Sequence, residues 1–468
     1  MTGRRFGGAL RGMVLGFGLG VVSLAPAAQA ETLTDAMVLA YRNSDLMVQN
    51  RALLRAADED VAVAVSMLRP VFDFAASASY NYNEFRTGGI TTSTDGLSSM
   101  LALTASLTLY DGGVNRMGVE SAMEMVLAAR QALIGVEHNV LFMAVQAYMN
   151  VRLAEEMVTL RQSNVRVIER ELGAAQDRFE LGEITRTDVA IAEARLAGAR
   201  SMLAAAEGDL AVAREGYLLA VGQYPGRLAP PPAPPQLARN LDEAKQIARR
   251  GHYSVIQMQH EVKAADIGVA RAAAAMGPRV TAQAQYGLPD SGLQSGSVSV
   301  GLSQRLYQGG GGSALHRQAM ARRDATRSAL HFRAIEVEQT VGEAWAQLGV
   351  ARAAIEATDR QIRAARTAYE GVREEAMLGA RTTLDVLNAE QELLDAQSQR
   401  LQAVTTQQTA HYALLASMGL LTAEHLGLGV PVYDPDAYYN AVRNAPATSP
   451  QGERLDRVLR SIGGGGGD

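Results

Sequence analysis

A run of four glycines, Gly309 to Gly312, is the pattern in this chain that most resembles a site for chemistry. Glycine-rich turns that open a helix can hold phosphate groups on their backbone N–H donors. A nucleotide-binding loop also needs a lysine after its glycines, and here Ser313-Ala314-Leu315 follows. The shorter pair Gly112-Gly113 stands at the matching place earlier in the chain. We therefore interpret both glycine runs as turns between a strand and a helix.

The other reactive side chains form no catalytic or metal-binding pattern. The seven histidines are scattered without a His-Glu-x-x-His, and the Gly-x-Ser-x-Gly of a nucleophilic serine is missing. The chain has no cysteine, which excludes a thiol nucleophile, a thiolate metal site, disulfides and an N-terminal lipidated cysteine. We expect no enzyme, no cofactor and no bound metal.

The first 30 residues predict export from the cytoplasm. Three arginines precede an apolar run from Met13 to Leu24, and Ala28-Gln29-Ala30 follows as a small-residue cleavage site. The apolar run is too short to span a bilayer, so we predict a cleaved signal peptide rather than an anchor. Loss of the three arginines changes the formal net charge from −5 to −8 (−5 − 3). With no basic tract, nucleic acid is not expected as a partner.

The chain contains a duplicated unit. Leu109-Tyr110-Asp111-Gly112-Gly113 returns as Leu306-Tyr307-Gln308-Gly309-Gly310, at an offset of 197 residues (306 − 109). Upstream of these motifs the offset is 208 residues (278 − 70), which places Pro70 on Pro278. The repeats therefore differ by an insertion of 11 residues (208 − 197), which we place mostly in a loop from Arg86 to Gly96 and the adjoining strand ends.

Each repeat is predicted to contain one very long helix. All fourteen prolines lie outside residues 71–224 and 290–430, and the helical pattern is continuous from Asn115 to Arg178 and from about Ser313 to Glu375. At 1.5 Å per residue, such helices are roughly 95 Å long. That length excludes a compact globule.

The helix after the first of these has the seam of a coiled coil. Its apolar positions alternate between spacings of three and four residues. In the equivalent helix of the second repeat, Leu387, Leu394 and Leu401 form a second apolar stripe beside the seam. Two stripes on one helix suggest contact with two partners. An antiparallel coiled-coil hairpin of a soluble protein remains an alternative. The seam positions are Val189, Ala192, Leu196, Ala199, Leu203, Ala206, Leu210, Ala213 and Tyr217.

Between each proline and the following Leu-Tyr motif, the hydrophobic period changes to two. This predicts four strands, at about residues 71–85, 97–110, 279–287 and 297–307, with one apolar face and one of small polar residues. Their length and alternation are typical of transmembrane barrel strands. No stretch after residue 30 is long and apolar enough for a transmembrane helix. A β-barrel and a soluble periplasmic protein with a half-buried sheet are the two alternatives, and we favour the barrel.

Four strands cannot close into a barrel, and an open sheet leaves backbone groups unpaired in hydrocarbon. Two chains would supply eight strands, whose interior is filled by side chains or one small ligand. Three chains would supply twelve strands and leave a lumen. A conduit therefore needs at least three chains, and the long helices would continue the barrel below the membrane.

The predicted fold class is mainly α with a small membrane β-barrel, built from a duplicated unit of short helix, two transmembrane strands, very long helix and short helix. The chain is divided into a signal peptide (1–30), a first repeat (31–222, tip turn about 179–188), a proline-rich linker (223–240), a second repeat (241–430, tip turn about 376–385) and a C-terminal extension (431–468) with a disordered glycine-rich tail.

The order of several short motifs resembles the TolC family of trimeric outer-membrane channel-tunnels, over essentially the whole mature length. Arg55 to Val61 and the ending from Tyr433-Asp434-Pro435 to Tyr438-Tyr439 are most similar to members that serve type I protein secretion. The motifs that carry the family resemblance are Leu33-Thr34-Asp35-Ala36, Pro70, the two Leu-Tyr motifs, Leu181 to Val189 and Leu378 to Val386.

The resemblance implies a homotrimer in the outer membrane, with a twelve-stranded barrel in lipid and a long periplasmic tunnel closed at its tip. It also implies a periplasmic adaptor and an inner-membrane ABC or proton-driven transporter as partners, and a channel that catalyses nothing. We expect the exit duct of type I protein secretion. Small-molecule efflux is the alternative within the family, and a soluble periplasmic coiled-coil adaptor or scaffold is the alternative from another class.

The resemblance also implies a pore gate. Arg381 and Asp385 match family positions in the gate network and the constriction, and Asn388 stands where the family archetype has a second acidic residue. Ala376 replaces a tyrosine of that archetype. A trimer would present a ring of three Asp385 carboxylates, which would favour cations and raise one another's pKa.

At the tips, Gly182, Arg186, Asp188 and Gly379 are the predicted positions for adaptor contact. Each has a simpler explanation. The glycines allow tight turns, and Arg186 is a solvated charge. Asp188 lies at the same place in its repeat as Asp385, and both can cap the helix that begins there.

Overall fold

The structure is a computed structural model that describes residues 30–445, except residues 291, 293 and 432, and also Arg457. The predicted signal peptide, apart from Ala30, and the predicted disordered tail lie outside the described residues. Within them the chain forms nine helices and four strands. In chain order these are α1 (Leu33–Asn43), α2 (Asp45–Ser66), β1 (Val71–Thr87), β2 (Ile90–Tyr110), α3 (Val114–Glu180), α4 (Arg186–Val221), α5 (Leu241–Gly251), α6 (Tyr253–Ala274), β3 (Arg279–Pro289), β4 (Ser295–Ser303), α7 (Gly311–Met377), α8 (Thr383–Ser417) and α9 (Pro435–Val442).

The duplication is visible in the lengths of the helices. α1 and α5 have 11 residues each, α2 and α6 have 22, and α3 and α7 have 67. α4 has 36 residues and α8 has 35. At 1.5 Å per residue, α3 and α7 are each about 100 Å long. Each pairs with the helix that follows it, so each repeat ends in a long helical hairpin.

The four strands form one antiparallel sheet in the order β1-β2-β3-β4. β1 and β4 are its edge strands, so each has one side without a partner strand in the described chain. Among the described helices, none is both long and apolar enough to cross a membrane.

Two features of the sheet differ from the sequence prediction. The connection between β1 and β2 is only Gly88-Gly89, because both strands continue through the predicted loop from Arg86 to Gly96. Both glycines have positive φ, +60° and +87°, as a two-residue hairpin turn requires. β4 ends at Ser303 rather than near residue 307, because Ser303 pairs with Arg279, the first residue of β3, and no partner strand continues beyond it.

Each strand pair leads into its long helix through a glycine in the left-handed region. Gly113 and Gly310, with φ of 86° and 81°, are the N-cap residues of α3 and α7. In the first repeat the Asp111 carboxylate accepts hydrogen bonds from the N–H groups of Gly113 and Asn115, both at 2.9 Å. The glycine run at Gly309 to Gly312 is thus the predicted strand-to-helix turn.

The largest apolar core lies where the middle parts of α3 and α7 meet the C-terminal ends of α4 and α8 and the short helices α1 and α5. Two fully buried tyrosines tie this core to the start of the described chain. The Tyr148 hydroxyl donates to the backbone oxygens of Glu31 and Ala229, at 3.0 and 2.6 Å, and the Tyr217 hydroxyl donates to the Glu31 carboxylate at 2.6 Å. These bonds hold the proline-rich linker against the first repeat.

Two glycines within α3 provide a test of this packing. A Cβ at Gly135 would lie 2.5 Å from Cε2 of Tyr253, whose ring is held between His138 and His252. A Cβ at Gly173 would meet nothing within 4 Å. Gly135→Ala should destabilise the protein by about 1–3 kcal/mol through overpacking, whereas Gly173→Ala should stabilise it by about 0.5–1 kcal/mol. Thermal unfolding followed by circular dichroism checks both, and equal effects would contradict the packing described.

Candidate functional site

The turn between α3 and α4 is closed by backbone hydrogen bonds and a helix cap. Gly182, at φ +77°, donates to the Phe179 oxygen at 2.9 Å, and Glu183 donates to the Arg178 oxygen at 2.9 Å. The Asp188 carboxylate accepts from the N–H of Thr185 at 3.0 Å and from its hydroxyl at 2.7 Å. These hydrogen bonds lower the pKa of Asp188. The positive φ explains why glycine stands at the turn.

The turn between α7 and α8 repeats this geometry. Gly379 has φ +79°, and Asp385 accepts from the N–H and hydroxyl of Thr382 at 3.0 and 2.8 Å. The bonds from Thr382 lower the pKa of Asp385 in the single chain. Asp188 and Asp385 therefore make the same capping box. The structure gives each a local role as a cap.

In the single chain the charges of Arg381 and Asp385 are near enough to interact, and the closest polar partners of Arg381 and Asn388 lie on different hairpins. The Arg381 Nε lies 2.8 Å from the Glu375 carboxylate, on the same hairpin, and both side chains are half exposed. Asn388 instead reaches the other hairpin, where its Oδ1 accepts from the Arg195 guanidinium at 2.9 Å. Arg186 is exposed at the start of α4. Asn388 thus links the two hairpins, whereas Arg381 makes an ion pair within its own hairpin.

A second bond between the hairpins involves residues that the sequence prediction missed. Nδ2 of Asn164, on α3, donates to the Glu390 carboxylate, on α8, at 2.9 Å. Both side chains are buried, with exposed fractions of 7% and 6%. Leu387, one turn earlier on α8, belongs to the same buried apolar cluster as Val165 and Ile168 of α3. Glu390 lies between Leu387 and Leu394 on the predicted second stripe, so a charged residue interrupting that stripe was the available signal.

Glu390 is held in an unusual electrostatic environment. Burial raises its pKa to about 7, and nearby Glu171 adds to the rise, while the Asn164 hydrogen bond and Arg170 oppose it. Tyr369 of α7 also faces this carboxyl. Among the described residues, the Glu390 Oε2 atom has no hydrogen-bond partner. Ionisation of Glu390 would therefore place an incompletely paired charge between the two hairpins.

At the opposite end of the helices, the sheet segregates apolar and polar side chains on its two faces. Its register aligns Phe72, Ala105, Ala284 and Val298 in one row across all four strands. The next row consists of Asp73, Thr104, Gln285 and Ser297. Because side chains alternate between faces along a strand, the first row belongs to an apolar face and the second to a polar face. The apolar face is exposed in the single chain, with Phe72 and Phe74 each 71% exposed.

Comparison with known proteins gives a consistent family match. Residues 37–223 and 245–420 match the family model described as "Outer membrane efflux protein". The chain is 36% identical over 432 residues to the outer membrane efflux protein BepC of Brucella suis, covering 91% of this chain and 93% of BepC. It is 28% identical over 305 residues to the alkaline protease secretion protein AprF of Pseudomonas aeruginosa, covering 62% and 63% of the two chains. The crystal structure of CusC is similar in fold, with a TM-score of 0.74 at 18% identity, covering 83% of this chain and 92% of CusC.

The buried Glu390 gives the structure a defined pH dependence. Its pKa in the folded chain, about 7, exceeds the ordinary value of 4.5, so between these values the folded chain keeps a proton that the unfolded chain loses. The contribution of Glu390 to the free energy of unfolding should therefore fall by about 3 kcal/mol as pH rises from 4.5 to 7, and change little above that.

Glu390→Gln keeps a partner for Asn164 and should remove this part of the pH dependence. Glu392→Gln, at an exposed position on the same helix, is the matched control. Unfolding midpoints measured in denaturant between pH 4.5 and 8 would show the difference. A pH profile that is the same in wild type and Glu390→Gln would contradict the assignment.

Proposed function

Because the chain belongs to the outer membrane efflux protein family, we propose that it forms the exit duct of a tripartite export system. Members of this family are outer-membrane channel proteins and not enzymes, and the chain is accordingly an outer-membrane protein with a large periplasmic portion. This membership excludes the alternative of a soluble periplasmic adaptor. The observation that carries the proposal is a sheet with one apolar face and two open edges, continued by helices about 100 Å long.

The open edges support a homotrimer. In a bilayer, the unpaired backbone groups of β1 and β4 need partner strands, and the described chain offers none. Three copies would join β4 of one chain to β1 of the next and close a twelve-stranded barrel. The polar face would then line a lumen, which an eight-stranded barrel lacks.

The apolar face has the height of a membrane. On β1 it extends from Phe72 to Tyr82, and the ten steps between these residues (82 − 72) span about 33 Å along the strand. At the usual strand tilt of roughly 40°, this corresponds to about 25 Å across the bilayer, the height of the apolar band of membrane barrels. Outer-membrane lipid is therefore the proposed partner of this face.

The helical hairpin tips are proposed to lie at the periplasmic end. In this assembly Gly182, Arg186, Asp188 and Gly379 are available for a periplasmic adaptor, which an inner-membrane transporter would accompany. Arg381, Asp385 and Asn388 are proposed as residues of the gate and constriction. The bond between Asn388 and Arg195 holds α8 against α4 within one chain.

For the cargo, we propose protein exported by type I secretion, with an ABC transporter. The two segments that resemble type I members contact one another in the structure. The Arg55 guanidinium lies 6.0 Å from the ring centre of Tyr438, and the Tyr438 hydroxyl donates to Glu59 at 2.8 Å. Their resemblance therefore reflects one packed unit of α2 and the C-terminal segment. Similarity to a protein named for alkaline protease secretion supports the same cargo.

Small-molecule efflux is the second candidate. The observation that favours it is the 36% identity to BepC, which is named an outer membrane efflux protein. A proton-driven transporter would then be the partner in place of the ABC transporter.

Deletion of the gene in its host separates the two cargoes. For type I secretion we expect specific proteins to disappear from the culture medium, with drug susceptibility unchanged and secretion restored by the wild-type gene. Mass spectrometry of the medium and minimum inhibitory concentrations measure the two effects. Raised susceptibility with an intact secretome would favour efflux, and no change in either would contradict the proposed duct.

The gate proposal is tested by comparing two aspartates that make the same cap. Asp385→Ala should reduce cation selectivity in planar bilayers severalfold, because it removes a ring of three carboxylates from the pore. Asp188→Ala removes the same capping box, at a similar cost of about 0.5–2 kcal/mol in helix stability. If Asp385 only caps α8, the two variants will have equal and small effects on selectivity.

A further inference from the structure

A stripe of five residues on α8 covers α3 within the chain. Ser398 lies within 3.6 Å of the Met157 sulfur, and Glu390 accepts its hydrogen bond from Asn164. Four of the five residues are buried and the fifth is half-buried. We call these residues, Leu387, Glu390, Leu394, Ser398 and Leu401, the α8 stripe.

The offset of 197 residues places an equivalent stripe on α4, which we call the α4 stripe. It keeps the glutamate and the serine and replaces all three leucines with alanine. All five of its residues are exposed in the single chain, whereas their equivalents on α8 are covered. The residues of the α4 stripe are Ala190, Glu193, Ala197, Ser201 and Ala204.

The surface that would cover the α4 stripe also exists in the chain, on α7. The same offset carries Asn164 of α3 onto Gln361 of α7, a second carboxamide that can donate a hydrogen bond to a carboxylate. Gln361 is exposed, whereas Asn164 is buried. α3 is covered by α8 of its own chain, whereas the equivalent face of α7, at Gln361, is exposed. This exposed face of α7 is the equivalent partner for the exposed α4 stripe.

We propose that the α4 stripe of one protomer packs on α7 of the next, in the manner in which the α8 stripe packs on α3, with Gln361 donating to Glu193 across the subunit boundary. The inference rests on the proposed trimer and identifies its helical interface. Inside one chain, the equivalent bond is the one between Asn164 of α3 and Glu390 of α8. Three copies would then form a ring with six interfaces between neighbouring hairpins, three within chains and three between chains. We call these interfaces the seams of the tunnel.

The two kinds of seam differ in the apolar surface that they bury. The α8 stripe contributes three leucines where the α4 stripe contributes three alanines, so the seam inside the chain gains more from burial. The subunit seams are therefore the weaker ones near the tip. Opening of the tunnel should separate subunits before it separates the two hairpins of one chain.

The absence of cysteine from the chain permits a direct test by cross-linking in the full-length protein. A variant with Glu193→Cys and Gln361→Cys, treated in outer membranes with a short thiol cross-linker, should give covalent dimers and trimers on denaturing gels. Each single variant should give neither. The matched control, Asn164→Cys with Glu390→Cys, should link within one chain and stay at the monomer mass.

The oligomeric state of the same samples, measured by size-exclusion chromatography in detergent, separates two failures. A trimer in which the double variant forms no intersubunit product would overturn the proposed interface and leave the trimer intact. A monomer would overturn the assembly proposed for the channel.

The order of opening is tested by conductance in planar bilayers. Cross-linking the subunit seam should reduce channel opening at least tenfold, whereas the link between Asn164→Cys and Glu390→Cys should leave most of the opening intact. The reverse result would overturn the assignment of the weaker seam.

Discussion

In the part of the chain that the structure describes, the outer edges of β1 and β4 have no partner strand, and the rest of the structure depends on this constraint. In hydrocarbon, each backbone N–H or C=O without a partner costs several kcal/mol, so the sheet cannot stand in a bilayer as a single chain. Closure by further copies also fixes the positions of the long helices, because short connections join them to the sheet. α3 begins at Val114, four residues after β2 ends at Tyr110, and α7 begins at Gly311, eight residues after β4 ends at Ser303. The helices therefore follow the ring arrangement of the strands from which they emerge.

The duplication satisfies this constraint with two similar units per chain, and the places where the units differ are informative. The helices match in length, but β1 and β2 have 17 and 21 residues where β3 and β4 have 11 and 9. The last pair between β2 and β3 is Met100 with Pro289, so the longer hairpin continues beyond it as two strands. Growth at that end leaves the four-stranded sheet undisturbed. A hairpin can lengthen there without changing how the ring closes.

The sequence predicts features that repeat along an element and misses those that depend on a distant neighbour. The faces of the strands follow from their period of two, and the coiled-coil seam follows from its heptads. The end of β4 could not be found in this way, because it is set by where β3 begins. The sequence predicts a loop at Thr91 and Thr92, although β-branched residues also suit strands, and β1 pairs with them. Glu390 is missed because a glutamate in a polar helix usually faces water, and only the approach of α3 buries it.

The Asn164 and Glu390 pair has a physical role that burial alone does not explain. An interface of leucine and alanine is nearly periodic, so two long hairpins could slide past each other by a heptad with little loss of contact. A buried carboxyl and a carboxamide satisfy each other at only one alignment, and any shift leaves both without partners at a cost of about 1–3 kcal/mol each. Because both tips are rigid extensions of these helices, one polar pair fixes the height of one tip relative to the other. We therefore interpret the pair as the element that sets the alignment of the two hairpins, whereas the leucines around it supply most of the binding energy.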